Sequence, residues 1–265
     1  MSLRINTNVE AFNAHRNLEG TSNKLAKSME RLSSGFRINR AADDAAGLAI
    51  SEKLRGQIGG LDQARRNVQD GISLVQTAEG SLTEVHSMLQ RVRELSVQYN
   101  NGTLATTDRG AIVSEVTQLT QEIERIGTTA QFNGIKLLDG TVATVTFQVG
   151  ANDGETISAS TISLGRAVGR IDLTSTTILA DVDRAINAVS DQRASFGAVQ
   201  NRLEHTYNNL SVYQENLSAS ESRIRDVDMA AEMVNFTKNN ILQQAGTSML
   251  AQAQQAPQAV LSLLR

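Results

Sequence analysis

The three histidines and the acidic pair at positions 43 and 44 are the side chains best suited to chemistry in this 265-residue sequence. His15, His86 and His205 each stand alone inside a predicted helix, without the HExxH spacing that places two metal ligands on one helix face. The sequence has no cysteine and shows neither a glycine-rich phosphate loop nor a nucleophile elbow. We therefore predict no metal site, no cofactor and no enzymatic activity.

Asp43 and Asp44 lie in the stretch RLSSGFRINRAADDAAG, residues 31–47. Neighbouring residues of a helix point about 100° apart, so these two carboxylates do not converge as a general acid and base. Acidic residues directly before a helix commonly cap its first turn and interact favourably with its dipole. Because AAGLAISEKL follows them, we predict that they begin a helix at a joint between two elements. Catalysis is the weaker alternative, since no third residue converges on the pair.

The composition indicates a long helical protein rather than a compact globule. Hydrophobic residues make up 40% of the chain, yet only 3% are aromatic and there is a single proline. The net charge is −3 and the basic residues are scattered, which argues against a nucleic-acid partner. The sequence predicts no membrane insertion and shows no cleaved secretory signal. Taken alone, these features would place the protein in the cytoplasm.

Apolar residues recur every seven positions through two long segments of the chain. The first register runs from Leu54 to Leu89 and the second from Val182 to Ile224. This spacing is typical of a coiled-coil seam. Each seam needs an apolar partner, and the other seam supplies it if the two run antiparallel. The long helices are predicted at about 46–99, 107–127 and 178–222.

The middle of the chain has a different periodicity. In TVATVTFQVGANDGETISAS, residues 141–160, apolar residues alternate with polar ones and ANDG provides a turn. We predict a β-hairpin region at about 135–175, within a rod domain formed by residues 41–225. The expected fold class is mainly α: an elongated antiparallel coiled-coil or helical-bundle rod with a small β-hairpin region at one end.

Both ends of the chain carry broad apolar helical stripes. Folding the two ends onto each other would cover only part of these stripes, so the rest is expected to pack against other molecules or to become ordered only then. The faces predicted to drive such polymerisation comprise Ile5, Val9, Phe12, Leu18, Leu25, Met29, Leu32, Leu242, Met249, Val260, Leu263 and Leu264.

Seven blocks of the sequence resemble bacterial flagellin. Four precede the β region: RLSSGFRINRAADDAAGLAISEKLRGQ, DGISLVQTAEG, LQRVRELSVQ and QFNG. Three follow it: FGAVQNRLE, ESRIRDVDMAAEM and ILQQAGTSMLAQAQQAPQAVLSLL. As a set, in this order, they are highly specific. The short centre makes the chain similar to a short-form flagellin that lacks the large variable outer domains.

The resemblance implies a structural subunit that self-assembles into the helical flagellar filament for swimming motility. Its partners would be further copies of itself, the flagellar export apparatus, an export chaperone and the filament cap. Flagellins leave the cell by type III export without a cleaved signal peptide, which implies an extracellular location in the flagellum. Residues 1–40 and 226–265 would form the inner filament-core domain. The inter-domain joint would include Gly35, Arg37, Asn39, Asp43 and Asp44.

The block LQRVRELSVQ also resembles the segment of flagellins that an animal innate immune receptor recognises. By this resemblance the epitope would consist of Gln90, Arg91, Leu95, Gln98 and, on the adjacent helix, Glu115. An alternative is that these residues have only structural roles. Arg91 and Glu94 would then be i,i+3 neighbours on a solvated helix face, and Leu95 would pack between subunits.

Two other structural functions share parts of this pattern. A hook–filament junction protein has the same terminal architecture but much weaker identity in these blocks. A secreted coiled-coil adhesin would use the rod but would not need both ends to polymerise. The filament subunit is therefore the leading hypothesis.

Overall fold

The computed structural model describes residues 7–169, 171, 173, 175 and 177–263, with backbone only for 256–263. Ile5 and Leu264, both predicted polymerisation residues, lie outside this range, as do the side chains of Val260 and Leu263. Helices dominate the described residues, which confirms the mainly α class. They are α1 (Val9–Ser34), α2 (Ala45–Tyr99), α3 (Thr106–Thr129), α4 (Leu164–Val168), α5 (Ile178–Arg225) and α6 (Met229–Leu263).

Two small antiparallel hairpins interrupt the helices. Strands β1 (Gln131–Phe132) and β2 (Ile135–Lys136) form the first, and β3 (Thr144–Gln148) and β4 (Thr156–Ser160) form the second. The second hairpin was predicted from the alternation of apolar residues. The first was not, although its turn residues Asn133 and Gly134 both have positive φ angles, as the two-residue Asn-Gly hairpin turn requires.

The chain divides into two compact units. The terminal unit comprises residues 1–56 and 216–265, and the central unit comprises residues 57–215. The divisions fall inside α2 and α5, whereas the predicted boundaries lie at 40/41 and 225/226. The assignment of 1–40 and 226–265 to an inner filament-core domain stays a prediction.

The core of the central unit lies along the two predicted seams. On α2, every seventh residue from Leu61 to Leu89 is 1% exposed or less, and on α5 the register from Val182 to Leu210 is buried. Ion pairs at 2.6 Å between Arg93 Nε and Asp183 Oδ1 and at 3.7 Å between Arg193 Nη2 and Glu79 Oε1 tie the helices together. Rising numbers on α2 thus meet falling numbers on α5, which confirms their antiparallel pairing.

The second hairpin packs on the early part of α2 in the central unit. The amide of Asn67 donates to the carbonyl of Gln148 at 3.1 Å. A Cβ atom on Gly71 would lie 3.2 Å from the Phe147 ring, and one on Gly60 would lie 2.9 Å from the Cβ of Ala151. Small residues on α2 therefore let the hairpin approach the helix backbone closely.

The terminal unit is built on an antiparallel pair of helices, α1 and α6. The Asn8 amide donates to the Ala253 carbonyl at 2.7 Å, and near the other end of the pair the Ser28 hydroxyl lies 2.5 Å from Glu232 Oε1. The backbone N–H of Ala11 donates to Asn8 Oδ1 at 3.0 Å, so Asn8 caps α1. Helices α1 and α6 are thus paired in a single copy.

Candidate assembly surface

A short backbone clasp, formed by residues 35–37 and 225–227, joins the two linkers of the terminal unit. Phe36 and Asp226 form an isolated antiparallel bridge. The N–H of Arg37 donates to the Arg225 carbonyl at 2.7 Å, and the N–H of Val227 donates to the Gly35 carbonyl at 3.0 Å. Gly35 ends α1 with φ +76°, a left-handed conformation that suits glycine. The clasp therefore holds the end of α1 against the end of α5.

Arg225 fastens the clasp to α2. Its Nη1 lies 2.6 Å from Glu52 Oε1, and its guanidinium carbon stands 4.8 Å from the centre of the Phe36 ring. The hydrogen bond from Arg225 lowers the pKa of Glu52 below its ordinary value. One side chain thus combines an ion pair with a cation–π contact, and sequence reasoning missed it because its partners are 173 and 189 residues away in the chain.

The predicted joint residues Asp43 and Asp44 both accept hydrogen bonds from nearby backbone N–H groups. Asp44 Oδ1 accepts a hydrogen bond from the N–H of Gly47 at 2.8 Å, at the first turn of α2. Asp43 Oδ2 accepts from the N–H groups of Arg40 at 3.1 Å and Asn39 at 3.4 Å, and the first of these bonds lowers the pKa of Asp43. Asp44 thus caps the start of α2, whereas Asp43 bonds to the linker before that helix.

The side chains of the other two predicted joint residues, Arg37 and Asn39, also form hydrogen bonds within the terminal unit. The amide of Asn39 donates to Ser34 Oγ at 2.8 Å, and Arg37 Nη2 donates to the carbonyl of Ile224 at 2.7 Å. All five predicted joint residues therefore lie within the terminal unit. Their role as a joint between filament domains stays a prediction.

The terminal unit has few fully buried apolar side chains. Among its described side chains, Ile38 is the only fully buried hydrophobic residue, whereas 31 hydrophobic residues are buried in the described part of the central unit. The other buried side chains of this unit include the polar pair Ser28 and Glu232, with Arg31 Nη1 lying 3.6 Å from Glu232 Oε2. Two paired helices without a continuous core are marginal on their own.

Large apolar side chains are instead exposed on the terminal unit. The predicted residues Val9, Phe12, Met29, Leu242 and Met249 are 46–70% exposed. Three other predicted residues, Leu18, Leu25 and Leu32, are half-buried. The same unit exposes further apolar residues that the seven-residue register did not select: Ile50, Met229, Met233, Val234 and Ile241.

Exposed apolar residues surround most of the circumference of α6. At about 100° per residue, Met233 and Met249 project from opposite flanks of the face that holds Glu232 and Gly246 against α1, and Val234 projects from the far side. A helix that is hydrophobic all round is normally buried inside a larger structure. A search for apolar residues three and four positions apart on every side of α6, rather than seven apart on one side, would have predicted this exposed surface.

The predicted receptor face lies on α2 and α3 of the central unit. Arg91 Nε donates to Glu115 Oε1 at 2.9 Å and Arg91 Nη1 to Glu94 Oε2 at 3.3 Å, and the first bond raises the pKa of Arg91. Gln90 and Gln98 are exposed nearby on α2.

Leu95 does not share this exposed position. Its side chain is 2% exposed and belongs to a buried cluster with Val92, Ile112 and Val182. In the unbound chain it supports the face from beneath, so it cannot be a surface contact as the resemblance implied.

The three histidines are found on three different helices, α1, α2 and α5. His86 Nε2 lies 3.0 Å from the amide nitrogen of Gln90. Within the described ranges, no group of three or more His, Cys, Asp or Glu side chains is placed to hold a metal ion. Nor does any helix in the described part of the chain have the length and apolarity needed to cross a bilayer.

An exposed apolar surface on a helical protein is typical of the class of subunits that associate with further protein. Residues 5–143 match the family description "Bacterial flagellin N-terminal helical region", and residues 179–264 match "Bacterial flagellin C-terminal helical region". The chain belongs to the bacterial flagellin family.

Relatives match the chain over nearly its full length. It is 58% identical to a flagellin of Halalkalibacterium halodurans over 98% of this chain and 99% of the relative. It is 53% identical to a flagellin of Bacillus subtilis over 99% and 100%. A flagellar filament 33 kDa core protein of Treponema phagedenis is 50% identical over 98% and 99%. The crystal structure of Bacillus cereus flagellin matches with TM-score 0.51 and 32% identity over 55% of this chain and 88% of that one.

Proposed function

We propose that this chain is a structural subunit that self-assembles into the helical filament of the bacterial flagellum. The observation that carries the proposal is the contrast between the two units. The central unit buries its seams, while the terminal unit leaves residues such as Phe12 and Val234 about 70% exposed. Full-length similarity to flagellins and to a filament core protein supports the same function.

The physical driving force is burial of the exposed faces of α1 and α6 against neighbouring copies. Each fully buried side chain of this size contributes about 1.5–3 kcal/mol, so several together outweigh the entropy lost on association. A contact between two different surfaces of the same subunit does not close on itself unless the rotation completes a ring. Such a heterologous contact therefore propagates as a helical polymer.

Electron microscopy of the purified chain after salting out with ammonium sulfate, with and without sheared seeds, tests this proposal. We expect long filaments. Ile241→Gln, which places an amide on the exposed α6 face, should prevent elongation. The control Ile135→Gln, which makes the same substitution on β2 of the central unit, should not. Protein that stays monodisperse under every seeded condition would refute the proposal, and short rings or few-layer stacks would favour a hook–filament junction protein instead.

The proposal includes export through the flagellar type III channel without signal cleavage, an extracellular location in the flagellum, and transient contacts with an export chaperone and the filament cap. The resemblance of both terminal regions to flagellin supports these assignments. Intact-mass measurement of the chain recovered from culture medium should find the N-terminal segment present. A fragment shortened at a small-residue cleavage site would contradict this route.

We further propose that the face around Arg91 is recognised by the animal innate immune receptor for flagellin. The support is geometric as well as by resemblance: Gln90, Arg91, Gln98 and Glu115 are exposed together on neighbouring helices. The Arg91 and Glu115 side chains are each about half exposed, so the guanidinium can exchange its intramolecular partner for one on a receptor.

A receptor reporter assay with Arg91→Ala protein tests this second proposal. Arg93→Ala is a matched control, because Arg93 lies on the same helix, has a side chain that is also 50% exposed, and is also paired with a carboxylate, Asp183. We expect signalling to fall at least tenfold for Arg91→Ala and to change little for Arg93→Ala. Equal signalling by both variants and the wild type would exclude Arg91 as an anchor.

A further inference from the structure

Four of the six methionines of the sequence lie exposed on the terminal unit. Met29, Met229, Met233 and Met249 are exposed by 55%, 48%, 48% and 61%. The only other described methionine, Met88, is half-buried on α2 of the central unit. The thioethers are therefore concentrated on the surface that remains uncovered in a single copy.

Three of these methionines lie close together along the α1–α6 pair. Met29 follows Ser28 and Met233 follows Glu232, and the Ser28 hydroxyl lies 2.5 Å from Glu232 Oε1. Met229 is one turn before Met233 on α6, so the two share a face. Met249 lies four to five turns further along the same helix.

Exposure makes these sulfur atoms open to two-electron oxidants. A sulfur lone pair attacks one oxygen of hydrogen peroxide, the O–O bond breaks, and the second oxygen leaves as hydroxide, which becomes water by taking the proton of the oxygen now bound to sulfur. The sulfur is oxidised to a sulfoxide and the peroxide is reduced. Because the chain has no cysteine, no thiol of its own competes for the oxidant.

We propose that Met29, Met229, Met233 and Met249 are oxidation sites at which peroxides convert an unassembled subunit into one that cannot join a filament. A sulfoxide is polar and must be dehydrated to enter an apolar contact, which opposes burial. Subunits already in a filament would have these sulfur atoms covered and would resist the same oxidant. This inference rests on the proposed assembly through α1 and α6.

Treatment of monomers and preformed filaments with hydrogen peroxide, followed by peptide mass spectrometry and seeded elongation, tests the proposal. We expect sulfoxide at the four methionines in monomers but not in filaments, and at least a tenfold rise in the monomer concentration needed for elongation. Methionine sulfoxide reductase should restore elongation, which separates this chemistry from irreversible damage.

A variant that combines Met29→Leu, Met229→Leu, Met233→Leu and Met249→Leu should elongate normally after peroxide treatment, whereas Met88→Leu should remain sensitive. If oxidised wild-type monomers elongate as well as untreated ones, or if the four residues oxidise equally in filaments, this inference is wrong. If untreated wild-type monomers fail to elongate, it is the assembly proposal that fails.

Discussion

Substituting Val234 by alanine offers a direct test of whether the exposed face of α6 is buried on assembly. Val234 is 68% exposed on α6. Val212 is 58% exposed on α5 of the central unit and provides the same substitution at similar exposure. Alanine favours helix more than valine does, so neither change should lower the stability of the monomer.

The expected size of the effect follows from the surface that remains to be buried. Valine to alanine removes two carbon groups, each worth about 0.8 kcal/mol on full burial. With about two-thirds of the side chain still exposed in the single copy, assembly would lose about 1.1 kcal/mol per subunit. Since about 1.4 kcal/mol corresponds to a factor of ten, the critical concentration should rise about sixfold.

Seeded elongation followed by light scattering measures this critical concentration for both variants. Val234→Ala should raise it by the amount above, and Val212→Ala should leave it within twofold of the wild type. An unchanged value for Val234→Ala, or an equal rise for both, would show that α6 does not supply the burial that drives assembly.

Three further outcomes are expected. Hydrogen bonds lower the pKa values of Glu52 and Asp43 below their ordinary values of 4.5 and 3.8. The two carboxylates therefore contribute fully to the stability of the terminal unit above those ordinary values, and this contribution is lost as the pH falls through the lowered pKa values. Glu52→Gln should flatten this acid transition in circular dichroism, and identical curves for the variant and the wild type would contradict the expectation. Hydrogen exchange in monomers should be much faster in α1 and α6 than in the buried middle of α2, and equal protection would disprove it. Gly59→Ala, whose Cβ would have no atom within 4 Å, should raise the free energy of unfolding by about 1 kcal/mol. For Gly60→Ala, the added Cβ would lie 2.9 Å from that of Ala151, so the free energy of unfolding should be about 1–3 kcal/mol lower than for Gly59→Ala. Chemical denaturation measures both values.

The regular parts of the fold were predictable because they depend on local periodicity. A seven-residue register places Leu61 and Val189 on seams whatever their exact partners are, so the seams and their antiparallel pairing followed from the sequence. Alternation of apolar residues around Phe147 likewise fixed the β3–β4 hairpin. The β1–β2 hairpin escaped because its strands have only two residues each, too few to show a period.

The candidate surface was predictable only in part. Val9 and Phe12 are exposed as expected, but Met229 and Val234 were missed, since a single register selects one stripe and α6 is apolar on several sides. Leu95 was expected at the surface and is buried instead. Its block resembles a recognition segment, yet packing against α3 and α5 decides that its side chain points inward.

The sequence by itself determined the helices, their seams, the main hairpin and the family resemblance, because apolar spacing and short motifs act over one or a few turns. Only the tertiary structure decided the clasp at Phe36 and Asp226, its fastening by Arg225 to Glu52, and the exposure of each apolar side chain on the terminal unit. The clasp and the Arg225–Glu52 pair join segments more than 170 residues apart. Contacts at that separation depend on how the helices pair in space, which no local pattern encodes.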